Sequence, residues 1–148
     1  MTGNETLVNA LKDAGLLGDP RLERAFRAVP RHLFLPKVPH EQVYLDEAVA
    51  IKQGADGTVI SSSSQPSMMA IMLNQLRLTE GLNVLEIGTG SGYNAAIMQH
   101  IVGYGGKITS MELDKELAAR AEDNLADAGM RSVNVVQGDG ALGYAPRA

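Results

Sequence analysis

The chain has 148 residues, and 45% of them are apolar, so its length and composition suit one domain with a modest core. Its 13 basic and 17 acidic residues give a net charge of −4, which argues against a nucleic-acid partner because such proteins present a basic surface. The absence of cysteine excludes disulfides, thiolate catalysis and cysteine zinc sites, and is compatible with a reducing cytoplasm. The opening "MTGNETLVNALKDAG" lacks a signal-peptide pattern and no run of about 18 apolar residues occurs, so we expect no membrane span and a cytoplasmic location.

The first 60 residues are predicted to form a mainly helical N-terminal region. Apolar residues recur at helical spacing over 4–15, and Gly15 is placed to end that helix. A second helix is expected after Asp19, which can cap it. The prolines of "PRHLFLPKVPH" (30–40) predict an extended segment, and "YLDEAVAIKQGADGTVI" (44–60) predicts short strands or loops around the turn "GADG".

An apolar helix is predicted for "SMMAIMLNQL", downstream of the serine run "SSSS". Ser64 is its expected N-cap, because a serine hydroxyl can accept from the backbone N–H groups of a first turn. The methionines Met68, Met69 and Met72 are predicted to lie in the core, since methionine on an amphipathic helix usually serves packing.

From Leu82 onward the pattern is strand, helix, strand, helix, strand. The strands are "LNVLEI" (82–87), "KITSME" (107–112) and "VNVVQG" (133–138), and Asp114 is placed to cap the helix between the last two. This order predicts an α/β fold in which a parallel sheet is flanked by helices, as in Rossmann-like domains.

Three glycines follow the first of these strands in the pattern Glu86-x-Gly88-x-Gly90-x-Gly92. A strand, a glycine turn and a helix form the half-fold that binds nucleotides, because glycines let the backbone approach a ligand closely. The dinucleotide fingerprint would put its third glycine one residue later, at Tyr93, which disfavours a nicotinamide dehydrogenase. The spacing instead suits S-adenosylmethionine, although a plain tight turn can use the same glycines.

Acidic residues follow the second and third strands. Glu112 ends the second strand, where a carboxylate can accept from both hydroxyls of a ribose. Either Glu112 or Asp114 could instead cap the next helix, and we assign the cap to Asp114 and the ribose to Glu112. After the third strand, Asp139 of "GDG" can accept from an adenine amino group or form a simple turn. All these residues fall at the carboxyl ends of parallel strands, where such sheets bind ligands.

Several segments together resemble the protein-L-isoaspartate O-methyltransferase family. "VPRHLFLP" (29–36) is similar to the family element VPR..F(V/L)P, and "YLDEAVAIKQG" (44–54) is similar to Y.D.ALPIG.G. "SQPSMMAIML" (64–73) is similar to ISQP.M.A.M, and "VLEIGTGSGYNAAIM" (84–98) and "GDG" match the cofactor motifs. Many methyltransferases share the glycine motif, so the "SQP" segment is what makes the resemblance specific.

The resemblance implies a seven-stranded fold and an enzyme that uses S-adenosylmethionine to methylate the free carboxyl of isoaspartate in peptides or proteins, after which the ester closes to a succinimide. It implies that Ser64 is the catalytic residue and that Ser61, Ser62 and Ser63 touch the methionine part of the cofactor. A carboxylate with a pKa of about 4 is already ionised at neutral pH, so the reaction needs alignment more than a general base. No metal site is predicted. The other expected cofactor-binding residues are Glu86, Gly88, Thr89, Gly90, Ser91, Gly92, Glu112, Asp139 and Gly140.

The chain departs from the family pattern in two places. "ADGTVISSS" (55–63) lengthens the distance to the catalytic serine, which leaves open a divergent enzyme that methylates an aspartate of ribosomally made peptides. After "GDG" the chain reaches only "YAPRA" (144–148), so the C-terminal strands are missing and "LNVLEI" (82–87) would be an exposed apolar edge. We therefore expect a substrate-side region, 1–60, and a partial Rossmann-like domain, 61–148. Such a chain would be a fragment of a longer protein, a chain completed by a homodimer or strand exchange, or a non-catalytic module that still binds S-adenosylmethionine.

Overall fold

The computed structural model describes residues 3–145. Residues 1–2 and 146–148, the latter at the end of "YAPRA", lie outside the described part. One apolar core joins the N-terminal helices to the three-stranded sheet and its helices. In chain order the elements are α1 (Gly3–Asp13), α2 (Pro20–Ala28), a 3-10 turn (Arg31–Phe34), α3 (His40–Val43), β1 (Val49–Gln53), β2 (Val59–Ser63), α4 (Pro66–Leu76), β3 (Asn83–Ile87), α5 (Tyr93–Val102), β4 (Lys107–Glu112), α6 (Lys115–Asp127), β5 (Asn134–Gln137) and a second 3-10 turn (Gly140–Leu142).

Helices α1 and α2 form where the sequence predicts them and contact each other. Asp19 caps α2, because its Oδ1 accepts from the Arg21 N–H at 2.9 Å, and Pro20 is the first helical residue. Asn4 links the two helices, since its Nδ2 donates to the Phe26 carbonyl at 3.1 Å. α2 also contacts α5, so the N-terminal region belongs to the common core.

The segment 30–40 is not extended, and that prediction is wrong. A 3-10 turn begins after Pro30, and the single-turn helix α3 begins after Pro39. A proline just before a helical turn loses no hydrogen bond, because backbone N–H groups at a helix start have no helical partner. The 3-10 turn buries Arg31 and Phe34.

β1 and β2 form an antiparallel hairpin joined at "GADG", as predicted. Val49 pairs with Ser63 and Gln53 with Val59, and the register shifts twice between these pairs. β2 continues to Ser63, so three of the four consecutive serines lie on a strand. This strand carries them along one wall of the site described below.

β3, β4 and β5 form a parallel sheet in that order, which confirms the predicted β-α-β-α-β unit. Glu86 of β3 lies opposite Ser110 of β4, which in turn lies opposite Val135 of β5. Among the described residues β3 pairs on one side only, and Leu85 and Ile87 are 37% and 64% exposed. The predicted apolar edge is therefore present in this part of the chain.

The N-terminus of α4 corrects one prediction. Its N-cap is Gln65, not Ser64, and the Gln65 side chain makes no capping hydrogen bond. Asp46 supplies the missing acceptor from a distant loop, because its Oδ1 accepts from the Ser67 N–H at 2.8 Å. Ser64 therefore does not cap α4, although its position in the sequence predicted that it would.

The exposure of the methionines of α4 corrects the prediction that all three lie in the core. Met69 is buried at 1% exposure, but Met68 and Met72 are 50% and 48% exposed, so the prediction of a common core position is wrong for these two. α4 packs through a single face, on which Ala70 and Leu73 accompany Met69. Across residues 3–145, no helix has both the length and the apolarity that a membrane crossing requires.

Candidate active site

A cleft of about 620 Å³ opens where the carboxyl ends of β3 and β4 face the hairpin. A smaller cavity of about 50 Å³ adjoins it, because Ser62, Gly88 and Gly90 line both. The remaining residues of the cleft are Ile60, Ser61, Glu112, Leu113, Asp114 and Leu117. Those of the small cavity are Ser63, Ser64, Met69, Thr89, Ser91, Tyr93 and Asn94.

The loop after β3 has the backbone geometry that requires glycine. Gly88, Gly90 and Gly92 have φ angles of +93°, +56° and +89°. β4 holds the start of the loop, because the N–H groups of Gly88 and Thr89 both donate to the Met111 carbonyl, at 2.8 and 3.2 Å. A Cβ added to Gly88 would meet no atom within 4 Å, so the backbone there is open to the cleft.

The other loop residues face the protein or the small cavity. Gly92 is the N-cap of α5, and a Cβ on it would lie 3.2 Å from Leu125 Cγ, so this glycine lets the loop approach α6 closely. Thr89 and Ser91 are buried and line the small cavity. The three glycines therefore serve different purposes: two border the cleft and one allows close packing.

Glu112 joins the end of β4 to the glycine loop. Its Oε2 accepts from the Gly90 N–H at 2.9 Å and its Oε1 accepts from the Asp114 N–H at 3.1 Å, although the side chain is only 8% exposed. Asp114 caps α6, with Oδ1 accepting from the Glu116 and Leu117 N–H groups, which confirms the assignment of the cap. Each Glu112 oxygen keeps a second lone pair with which it can accept from a ligand.

Glu86 lies at the centre of a hydrogen-bond network under the loop. Ser110 Oγ and Asn94 Nδ2 donate to its two carboxylate oxygens, at 2.5 and 2.6 Å, and Thr89 Oγ1 is 2.6 Å from Ser110 Oγ. Burial raises the pKa of Glu86, with a further increase from the Glu112 charge, while the Ser110 and Asn94 donors act in the opposite direction. Glu86 thus supports the loop and is not among the residues that line the cleft.

Ser64 borders the small cavity, and two side chains from distant parts of the chain hold its carbonyl and the residues that follow it. Its carbonyl accepts from Arg31 Nη2 at 3.1 Å, and Asp46 contacts Gln65 Nε2 at 3.3 Å besides the Ser67 N–H. Within residues 3–145, the Ser64 hydroxyl has no hydrogen-bond partner. An exposed hydroxyl next to the glycine loop can therefore donate to a bound group.

Two basic side chains, Lys52 and Arg120, connect the hairpin, which forms one wall of the cleft, to α6. Lys52 Nζ lies 2.5 Å from Asp114 Oδ2 and 3.3 Å from Glu116 Oε2, and Arg120 donates to the Ile51 carbonyl at 3.1 Å. The contact with Asp114 raises the pKa of Lys52 and, reciprocally, lowers the pKa of Asp114. The sequence analysis missed Lys52, because a partner 62 positions away leaves no local pattern.

Asp139 and Gly140, like Glu86 and Gly92, are predicted cofactor-binding residues that line neither cavity. Asp139 Oδ1 accepts from the Ala141 N–H at 2.9 Å and caps the second 3-10 turn, and neither residue lines the cleft or the small cavity. A Cβ on Gly140 would collide with Ile87, so glycine here allows the chain to pass the end of β3. No cluster of three or more His, Cys, Asp or Glu side chains able to hold a metal ion is present within residues 3–145.

The family model that matches this sequence and two similar relatives all belong to one protein family. The family model described as Protein-L-isoaspartate(D-aspartate) O-methyltransferase (PCMT) matches residues 1–148. A protein-L-isoaspartate O-methyltransferase of Methanococcoides burtonii is 44% identical over 137 residues, 93% of this chain and 64% of that protein. Protein-L-isoaspartate O-methyltransferase 1 of Archaeoglobus fulgidus is 42% identical over 142 residues, 96% of this chain and 62% of that protein. The chain thus spans less than two thirds of the length of these relatives.

Solved structures agree in fold. A protein-L-isoaspartate O-methyltransferase superposes with a TM-score of 0.82 at 37% identity, covering 93% of this chain and 42% of that one. A Plasmodium falciparum protein described as a beta-aspartate methyltransferase, solved in complex with S-adenosyl-L-homocysteine, gives 0.77 at 20% identity and covers 91% of this chain and 62% of that one, a likeness of fold. The resemblance seen in the sequence is confirmed: the chain belongs to the protein-L-isoaspartate (D-aspartate) O-methyltransferase family.

Proposed function

We propose that this chain binds S-adenosylmethionine in the cleft and contributes to methyl transfer onto the free carboxyl group of isoaspartate in proteins or peptides. Family membership supports the reaction. The observation that carries it is the convergence of Gly88, Gly90 and Glu112 with two serines of β2, Ser61 and Ser62, around one cleft of about 620 Å³. That volume lies within the usual range of small-molecule sites, about 300–1,000 Å³.

The residues of the cleft fit this cofactor. Gly88 leaves its backbone uncovered where a ligand can lie against it, and Glu112 offers a free lone pair on each oxygen to the ribose hydroxyls. Ser61, Ser62 and Ser63 are proposed to contact the methionine part, and Asp139 the adenine amino group. Asp139 would reach the adenine only if the ligand extends past the end of β3.

When bound, S-adenosylmethionine supplies the methyl group: a substrate carboxylate oxygen bonds to the methyl carbon, the carbon–sulfur bond breaks, and the bonding electrons leave with S-adenosylhomocysteine. The chain's own part is alignment. We propose that the Ser64 hydroxyl donates to the substrate carboxylate and holds one oxygen in line with the methyl group. No general base is required, because a carboxylate of pKa about 4 is ionised at neutral pH.

Three other proposals concern the division of the chain, its partners and its location. Residues 1–60 are proposed to form the substrate side, with 61–148 as the cofactor side, and the hairpin spans that division. The exposed edge of β3 supports a second proposal, that a further copy or an exchanged strand completes the sheet. We propose action in the cytoplasm, which the absence of cysteine favours.

The test separates binding from transfer. Calorimetric titration with S-adenosylhomocysteine measures whether the cleft binds the cofactor, and methyl-labelled S-adenosylmethionine then measures transfer to two peptides that differ only in one isoaspartyl or aspartyl residue. We expect micromolar binding and a base-labile methyl ester on the isoaspartyl peptide alone. Binding without transfer would favour a non-catalytic module, and preference for the aspartyl peptide would favour an aspartate methyltransferase of peptide maturation.

A further inference from the structure

Arg31 is a fully buried arginine that, within residues 3–145, donates only to backbone carbonyls. Its Nη1 donates to Val43 and Leu45, at 2.9 and 3.1 Å, and its Nη2 donates to Glu47 and Ser64, at 3.0 and 3.1 Å. One planar guanidinium thus joins the main chain of 43–47 to that of Ser64, which lies 33 positions away from Arg31.

A second side chain joins the same two segments. Asp46 lies within 43–47, and its carboxylate accepts from the Ser67 N–H and from Gln65 Nε2, at 2.8 and 3.3 Å. Segment 43–47 is therefore bonded to the chain at Ser64 and at both Gln65 and Ser67. We call the pair Arg31 and Asp46 the Ser64 bracket.

We propose that the Ser64 bracket positions the Ser64 hydroxyl for the methyl-transfer reaction, with Arg31 as the principal positioning residue; this inference rests on the proposed function. Arg31 lines neither the cleft nor the small cavity, so it cannot touch a ligand there and must act through the residue it holds. Ser64 lies before α4, makes no capping bond and is exposed, and Arg31 holds its carbonyl from a distant part of the chain.

Burying the charged guanidinium of Arg31 costs free energy, which favours a role for Arg31 beyond packing. Arg31 forms no salt bridge within residues 3–145, although the negative charge of Asp46 favours its charged form. Burial lowers the pKa of its guanidinium, yet an arginine remains charged in proteins. Apolar residues of similar volume usually serve stability as well as a buried charge does. A charged fork with four carbonyl partners is better suited to fixing two segments in one relative position.

The positioning itself can be measured by NMR in the 148-residue chain. Arg31→Lys replaces the planar fork with one ammonium group that cannot reach all four carbonyls, so the ¹³C carbonyl resonance of Ser64 should shift and the Ser67 amide should exchange about tenfold faster. Arg21→Lys is the matched control, because Arg21 bonds Asp19 at the start of α2 and should alter neither signal. Unchanged signals in folded Arg31→Lys would overturn the proposal.

A second variant covers the case in which the buried site tolerates no lysine. Asp46 is exposed, and Asp46→Ala removes one half of the bracket without disturbing the core. We expect the Ser64 carbonyl resonance to shift in this variant as well, because segment 43–47 loses its bond to Ser67. If the Ser64 carbonyl resonance does not shift in Asp46→Ala, the Ser64 bracket does not act on Ser64.

The catalytic part is tested by a double-mutant cycle with Ser64→Ala, using transfer to the isoaspartyl peptide. Arg31→Lys should lower kcat about 10- to 100-fold, leave the affinity for S-adenosylhomocysteine within about twofold, and add little to the loss already caused by Ser64→Ala. Additive losses would mean that Arg31 acts independently of Ser64, and would overturn the proposal. If the unmodified chain binds the cofactor but transfers no methyl group, the proposed function fails, and the NMR comparison still decides whether the bracket fixes Ser64.

Discussion

Each oxygen of the Glu112 carboxylate accepts one hydrogen bond from the protein itself, from the N–H groups of Gly90 and Asp114. Glu112→Ala would release the glycine loop and remove the proposed ribose acceptor at once. We expect it to weaken S-adenosylhomocysteine binding about 10- to 150-fold, which corresponds to a net loss of about 1.5–3 kcal/mol, the energy of one charge-assisted hydrogen bond. Calorimetric titration measures the change.

Glu122→Ala is the matched control for this variant. Glu122 lies on the exposed side of α6 and lines neither the cleft nor the small cavity, so its loss should leave affinity unchanged. An unaltered dissociation constant in Glu112→Ala would assign the ribose contact to another residue.

The raised pKa of Glu86 makes a prediction about pH. Because the folded-state pKa lies above the ordinary glutamate value of 4.5, the folded protein binds this proton more tightly than the unfolded chain does. The cost of burying the charge is therefore absent below pH 4.5 and fully present above the folded pKa. Glu86→Gln removes the charge and should flatten the decrease of stability as pH rises through that window. Asn94 can accommodate the new amide by turning its side chain, since Asn94 Oδ1 is buried and has no partner among the residues that the structure describes.

Thermal unfolding of wild type and Glu86→Gln across pH 4–8 gives the comparison. The difference between the two unfolding temperatures should change in favour of Glu86→Gln as pH rises, while groups whose folded pKa is lowered, such as Asp19 and Asp114, contribute equally to both proteins. A difference that stays constant over the whole range would contradict a raised pKa at Glu86.

At the scale of elements, the turn between α5 and β4 contains two adjacent glycines with different roles. A Cβ on Gly106 would lie 2.6 Å from the Leu82 carbonyl oxygen and 2.6 Å from Val102 Cβ, whereas a Cβ on Gly105 would meet its nearest atom, Gly81 Cα, at 3.8 Å. We expect Gly106→Ala to destabilise the protein by about 2 kcal/mol or more through overpacking, and Gly105→Ala to be neutral or stabilising by up to about 1 kcal/mol. Urea unfolding of the two variants measures both values, and equal stability would show that the turn adapts freely.

Local sequence signals predicted those elements whose causes are local. β4 begins and ends where "KITSME" does, and Asp114 caps α6 as its position suggests, because a cap and its helix are neighbours in sequence. The 3-10 turn and α3 were missed, since prolines stop long helices but permit single turns that begin after them. Ser64 was misassigned as a cap because Asp46, 21 positions before Ser67, does that work instead.

The candidate site was predictable to a similar degree. Gly88, Gly90 and Glu112 follow strand ends, and strand order brings them together, so their position on one cleft could be inferred. Lys52 and Arg31 act across 62 and 33 positions, and only the folded chain reveals such partners. One signal for Arg31 was available, namely a single charged residue between the apolar positions of "VPRHLFLP".

At the scale of the whole molecule, β3 is an edge strand of the sheet, and among the described residues no strand pairs with its outer edge. Leu85 and Ile87 of β3 lie on the same face, and Met68, Ile71, Met72 and Leu76 of α4 are also substantially exposed. An apolar edge strand favours association with other chains. We expect the chain to self-associate with rising concentration, and Ile87→Lys to reduce that association.

Sedimentation velocity over a range of concentrations checks this expectation. Val59→Lys serves as the control, because Val59 is 52% exposed on the hairpin, away from β3, and should not change the sedimentation profile. A monomer at every concentration before substitution would contradict the role of β3 in association.

The cap that Asp46 gives to α4 also has a consequence for the order in which the chain folds. A helix that begins with its own cap can form transiently before anything packs on it, but α4 receives its acceptor from a loop 21 residues earlier. Closing that loop has an entropic cost before the contact can offset it. The first turn of α4 is therefore expected to consolidate late, after the Arg31 turn and segment 43–47 have docked. In an incompletely folded chain the proposed catalytic serine would be the last part of the site to take its place.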